Sequence, residues 1–170
     1  MDKAQLLTRL SAQASQTAGR FRSLDDATFF SRPQPEKWSP AEVARHLVLS
    51  VRPLILAHAL PEWLLRLLFG KPNRPGRSYE QLVERYKQKL AAGGRASAPF
   101  VPKPIAHDAN KESVVAEFEK AYARYAKRLM SIREADLDRY LLPHPLLGKL
   151  SLREMTYFTI YHLEHHRWKK

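Results

Sequence analysis

The sequence predicts an all-α fold, a small bundle of four long helices with shorter helical pieces between them. Three observations predict it. Apolar residues recur at helical spacing in several stretches of the 170-residue chain. Ser-x-x-Glu capping boxes open two of those stretches. No run of alternating β-branched residues flanked by a hairpin dipeptide is present.

The first helix is expected over Lys3 to about Arg20, where Leu6, Leu7, Leu10 and Ala14 fall on one face. A loop with Pro33 and Pro35 follows. Ser39 is an N-cap residue, Pro40 suits the first helical position, and Glu42 can reach back to the Ser39 amide. The second helix therefore starts near Pro40 and runs to about Ala59, with a kink expected at Pro53. Trp63 to Phe69 reads as a short helix, and Lys71 to Arg77, with two prolines and a glycine, as a loop. Tyr79 to Ala92 reads as a helix stopped by Gly93-Gly94. Arg95 to Asn110, with Pro99, Pro102 and Pro104, is an extended linker. Asn110 caps the next helix, Lys111 to Arg133, whose apolar face carries Val114, Val115, Phe118, Tyr122, Tyr125 and Leu129. After Pro143, Pro145 and Gly148, the second capping box, Ser151 to Glu154, opens a last helix running from Leu152 to the chain end.

Length and a 44% hydrophobic share fit one globular domain spanning 1–170. The absence of cysteine removes thiolate metal sites and Cys nucleophiles, and fits a reducing, cytoplasmic setting. Met1 to Leu10 has no apolar signal region. The most apolar stretch, Pro53 to Gly70, is broken by His58, Pro61, Glu62 and Arg66, so no membrane span is expected. The net charge of +12 comes from 29 Lys+Arg against 17 Asp+Glu, dispersed along the chain. A solvated basic surface is the expectation. A nucleic-acid or partner-binding module, active in a stress response without catalysis, is the alternative.

Chemistry is concentrated in histidine. His162 and His166 lie four residues apart on the last helix, one above the other. Leu152, Met155, Thr159, His162, Leu163 and His166 project on one stripe, and His165 falls off it. Such a pair fits either one shared metal ion or hydrogen-bonded core histidines. On the second helix Val43, His46, Ser50, Leu54 and Ala57 project to one side, while Arg45 and Arg52 point away. His46 thus faces inward as a third candidate ligand. Three imidazoles leave at least one coordination position for water or substrate, as a catalytic metal site requires.

Trp38-Ser39-Pro40-Ala41-Glu42-Val43-Ala44-Arg45-His46-Leu47 is similar to the start of the second helix in the DinB-like (DinB/YfiT) metalloenzyme superfamily. His144-Pro145-Leu146-Leu147-Gly148-Lys149-Leu150-Ser151-Leu152-Arg153-Glu154, followed by Tyr161-His162 to His166, resembles its closing segment. The resemblance implies a four-helix bundle in up-down-down-up order with His46, His162 and His166 as metal ligands. Zinc or nickel is associated with such sites, and activities in the superfamily include thiol-dependent S-transfer and isomerisation. An extra C-terminal element of some relatives is expected to be missing here. The region from Trp63 to Gly94 matches no motif, and is expected to cap the site or to form an oligomer contact.

The expected function is therefore a metal-dependent transferase or hydrolase acting on a small molecule, with a low-molecular-weight thiol as cosubstrate in the first case. No general base is assigned. Glu164 projects off the ligand seam, and Arg74 and Arg77 are candidates to hold a carboxylated thiol or are simply exposed loop charges. Tyr157, Tyr161 and Trp168 form an outer aromatic face that a homodimer would use.

Overall fold

The computed structural model describes residues 1–106 and 108–167. The chain builds α1 (Lys3–Ser23), α2 (Asp26–Phe30), α3 (Pro40–Ala57), α4 (Glu62–Phe69), α5 (Tyr79–Ala91), α6 (Lys111–Ser131), strands β1 (Leu141–His144) and β2 (Gly148–Ser151), and α7 (Leu152–His165). Short 3₁₀ turns lie at Ala98–Phe100 and Glu134–Asp136. The protein is thus mostly helical with one small antiparallel hairpin.

Helix starts follow the capping chemistry in the sequence. The Ser39 and Ser151 hydroxyls accept from the amides of Glu42 and Glu154, and those two carboxylates accept from the Ser39 and Ser151 amides. Asp2 with Gln5 and Ser78 with Gln81 form the same reciprocal arrangement at α1 and α5. Asn110 caps α6 as its position predicted.

α1 packs on α6 and α7, α3 packs on α6 and α7, and α5 lies along the outer side of α7. Phe21 meets Phe29 and Phe118 edge to face, with centroids 5.9 and 5.6 Å apart. The fully buried Tyr125 of α6 shares a 2.9 Å hydrogen bond with Thr156 of α7. No single helix among the described residues is long and apolar enough to cross a membrane.

Several expectations need correction. The fold is not purely helical: Leu141 pairs with Ser151 and His144 with Gly148 in a hairpin of four-residue strands. Strands that short, one holding Pro143, carry no alternation to read. The segment before Pro33 contains α2, started by the Asp25 carboxylate accepting from Thr28. The last helix ends at His165, with His166 as its C-cap. Of the outer aromatic residues, Tyr157 turns inward and is buried against Tyr79 of α5, while Tyr161 is partly exposed and packs on Tyr86. Trp168, assigned to the same face, lies outside the described residues.

Both capping glutamates are buried, and each is matched by arginine from outside its helix. Arg74 holds Glu154 through two hydrogen bonds of 2.8 and 2.9 Å, and the Arg77 amide adds a third at 3.0 Å. Arg74 and Arg77 are therefore engaged with Glu154, and neither lines the cavity described below. Arg32 does the same for Glu42. Burial alone would raise the Glu154 carboxyl, but the Arg74 hydrogen bonds and the Ser151 and Arg77 amides outweigh it and hold it below the ordinary range. A carboxyl lowered by folding contributes stability that is complete above its unfolded value, near 4.5, and lost as the pH falls below it. Glu154→Gln, which leaves two guanidinium groups uncompensated, is expected to cost about 3 kcal/mol at neutral pH. Thermal melts should show the gap between wild type and variant narrowing between pH 6 and pH 3.

Candidate metal centre

α3 and α7 bring three imidazoles to one point. Each helix starts at a buried capping box, which sets its register, and His46 and His162 then fall on inward faces at 4% and 3% exposure. His166, half-buried at the C-cap, completes the group. The Nε2 atom of His162 lies 3.1 Å from Nε2 of His46 and 3.1 Å from Nε2 of His166. One potential ligand atom from each residue lies within 4.8 Å of the other two.

The hydrogen-bonding state of His46 follows from its other nitrogen. Nδ1 sits 2.6 Å from the carbonyl oxygen of Phe100. A carbonyl only accepts, so Nδ1 carries the proton and Nε2 presents a lone pair to the cluster. Such an outer hydrogen bond fixes ring orientation at metal-ligating histidines and raises their basicity. Aromatic rings hold the remaining faces. Trp38 lies over His46 with centroids 4.7 Å apart, and Phe158 stacks on His162 at 4.9 Å. The Trp38-Ser39 motif thus has two tasks, backing the ligand ring and capping its helix.

Burial pushes His46 below the usual imidazole value against the opposing pull of the Phe100 carbonyl. Burial and then the neighbouring imidazoles push His162 and His166 well below it. The three are therefore neutral at physiological pH, the state in which imidazole binds metal. Two nitrogens each about 2.0–2.1 Å from one ion stand roughly 3–3.4 Å apart, which the 3.1 Å separations match. The donor set, three neutral nitrogens without thiolate or carboxylate, suits zinc, nickel, copper or iron and is poorly suited to magnesium or calcium.

A cavity of about 190 Å³ adjoins the cluster, walled by α3, α5, α7, the β1–β2 turn and residues 95–100. Its surface is largely apolar, with Leu54, Leu90, Phe100, Leu146, Met155 and Phe158 among the contributors. None of its lining residues is acidic. Glu164 is turned outward and accepts from the Tyr79 hydroxyl at 3.2 Å. His165 is exposed at the cavity edge, outside the three-His group.

Sequence reasoning missed four contributors. The Phe100 carbonyl is a backbone atom in a proline-rich linker and carries no side-chain signal. Tyr86 and Leu90, which wall the cavity, come from the α5 region that matched no motif. His144, quoted within a motif but assigned no role, also lines the cavity and is held neutral by burial, its pKa lowered to about 4.

The family model described as the DinB superfamily matches residues 9–168 of the chain. A comparison with curated proteins matches none.

Equilibrium dialysis followed by elemental analysis is expected to find one zinc or nickel ion per chain. His46→Ala, His162→Ala and His166→Ala should each weaken uptake at least about 100-fold, as loss of one of three ligands implies, whereas His165→Ala should retain it.

Proposed function

The chain belongs to the DinB superfamily, and on that premise we propose that it is a metal-dependent enzyme acting on a small molecule, with His46, His162 and His166 as the ligands of one divalent ion. The observation that carries the reading is the convergence of three neutral imidazole nitrogens at the wall of a cavity, with no fourth member in the group among the described residues. A closed structural site takes four protein ligands, whereas three leave a position open.

The architecture proposed is a single-domain four-helix bundle in up-down-down-up order. Its support is a closed ring of packed pairs, α1 with α6, α6 with α3, α3 with α7 and α7 with α1. α2, α4 and α5 are then the additional short helices, α5 forming part of the cavity wall.

Thiol-dependent S-transfer is the reaction proposed. An ion such as zinc or nickel held by His46, His162 and His166 would lower the pKa of a thiol at its open position, so that the thiolate would be available near neutral pH. The residues of this chain set the surroundings. Apolar walls exclude water and accept the carbon skeleton of an electrophile such as an epoxide or alkyl halide. Hydrolysis is the second reading: no carboxylate lines the cavity among the described residues, so His165 at its edge would be the base that manages the protons of water. His165, accessible at the edge, is placed to pass the thiol proton to solvent. A small-molecule substrate is favoured over nucleic acid because many arginines are already paired, among them Arg22 with Glu112 and Glu119, Arg45 and Arg52 with Glu117, and Arg153 with Glu134 and Asp138.

Zinc- and nickel-loaded protein incubated with a panel of low-molecular-weight thiols and apolar electrophiles should form thioether products detectable by mass spectrometry. Chelation or His162→Ala should lower the rate at least about 100-fold. Turnover indifferent to chelator would contradict the proposal, and ester cleavage without thioether formation would reassign the reaction to hydrolysis.

A further inference from the structure

The β1–β2 turn places a fixed hydrogen-bond donor in the cavity wall. His144 pairs with Gly148 at the end of the hairpin, and its Nδ1 accepts from the amides of Leu146 and Leu147, both at 3.2 Å. An atom that accepts two N–H groups holds no proton of its own, so the proton of the neutral ring is on Nε2. Nε2–H has no partner among the described residues, and His144 lines the cavity at 9% exposure. The ring meets Phe158 edge to face, centroid 4.2 Å away, with Tyr86 farther out on the same side at 6.3 Å.

A cation stands at the mouth of the same cavity. Arg95 is exposed, lines both the cavity and the outer trough beside Trp38, and makes no ion pair among the described residues. The preceding turn puts it there. Gly93 has φ +88, and a Cβ on Gly94 would meet the Lys89 carbonyl oxygen at 2.6 Å and Leu146 Cδ2 at 3.3 Å. The Gly-Gly turn therefore packs close against the hairpin that carries His144, with Arg95 as its next residue.

We propose that the cavity binds a small apolar carboxylate, its oxygens taking the His144 Nε2–H hydrogen bond and the charge of Arg95, and its hydrocarbon body lying against Leu54, Phe100, Phe158 and their neighbours. The proposal deepens the functional reading above and rests on its identification of this cavity as the substrate site. The charge pattern selects the ligand: a free N–H donor and a guanidinium, with no acidic side chain among the lining residues, attract an anion, and a metal ion on the three imidazoles removes the lone pairs that an ammonium group would use. Its size selects the body, since about 150 Å³ is enough to hold a benzene ring.

The test uses benzoate and benzylamine as probes, titrated calorimetrically into metal-free and zinc-loaded full-length protein. His144→Asn is the informative variant. The asparagine carbonyl can still accept from the amides two and three residues on, so the turn persists, while its Nδ2 group falls near the ring Cδ2 position, short of where Nε2–H stood. Wild type is expected to bind benzoate in both forms and, with zinc on the three imidazoles, not to bind benzylamine. His144→Asn should weaken benzoate at least tenfold with the helical circular-dichroism signal and the zinc content unchanged at the titration temperature. Arg95→Gln, on an exposed loop, should also weaken it and keeps the test decisive if the asparagine variant folds poorly. Benzylamine binding the zinc-loaded form as tightly as benzoate, benzoate failing to bind wild type, or affinities unchanged in the variants would overturn the proposal. Zinc uptake without benzoate selectivity would overturn this inference alone, and benzoate binding without zinc uptake would overturn the metal reading alone.

Discussion

Buried polar atoms must be paired, and the Nε2 atoms of His46, His162 and His166 are arranged so that they cannot all pair with one another. His46 has spent its proton on the Phe100 carbonyl, so its Nε2 only accepts. His162 Nε2 stands 3.1 Å from both neighbours, and one proton there can serve only one of them. Charging the cluster would place like charges together in a buried site, which the lowered pKa values oppose. A single cation satisfies all three lone pairs at once. The helices, the caps and the cavity acquire their sense from that demand.

The cluster is held by devices far from it in sequence. α3 and α7 are each anchored at the N-terminus by a buried glutamate that is both capping residue and ion-pair acceptor. The partner arginines come from the loop before Trp38 and from the loop between α4 and α5. Those ion pairs tie the irregular segments to the helix starts, and so to the register of His46 and His162. The 3₁₀ turn at Ala98–Phe100 adds a third tie, from the long linker directly to a ligand ring. Outer contacts of this kind commonly decide how well a metal site is organised.

Much of the arrangement was legible in the residues. His46 lies in the second turn after a capping box, and His162 and His166 share a helical face, so period and cap chemistry were enough to aim them inward. What was not legible had physical causes. The hairpin is four residues per strand and gains its order from packing on α4 and α7, which leaves no alternation in the sequence. The five-residue α2 is too short to show an apolar period. Arg74 and Arg77 read as loop charges because a salt bridge to Glu154 spans 80 and 77 residues of sequence. Pairing over that distance is a property of the fold. The apolar walls supplied by α5 were hidden for the same reason.

The central claim is that one ion sits at the meeting point of Nε2 atoms from residues 46, 162 and 166. Anomalous diffraction at the metal edge, from crystals of protein loaded with one equivalent of zinc, tests it most directly. The account predicts one strong peak per chain, about 2.0–2.1 Å from all three Nε2 atoms, with the His46 Nδ1–Phe100 hydrogen bond intact. A peak on other side chains, or on only one of these imidazoles, would contradict it.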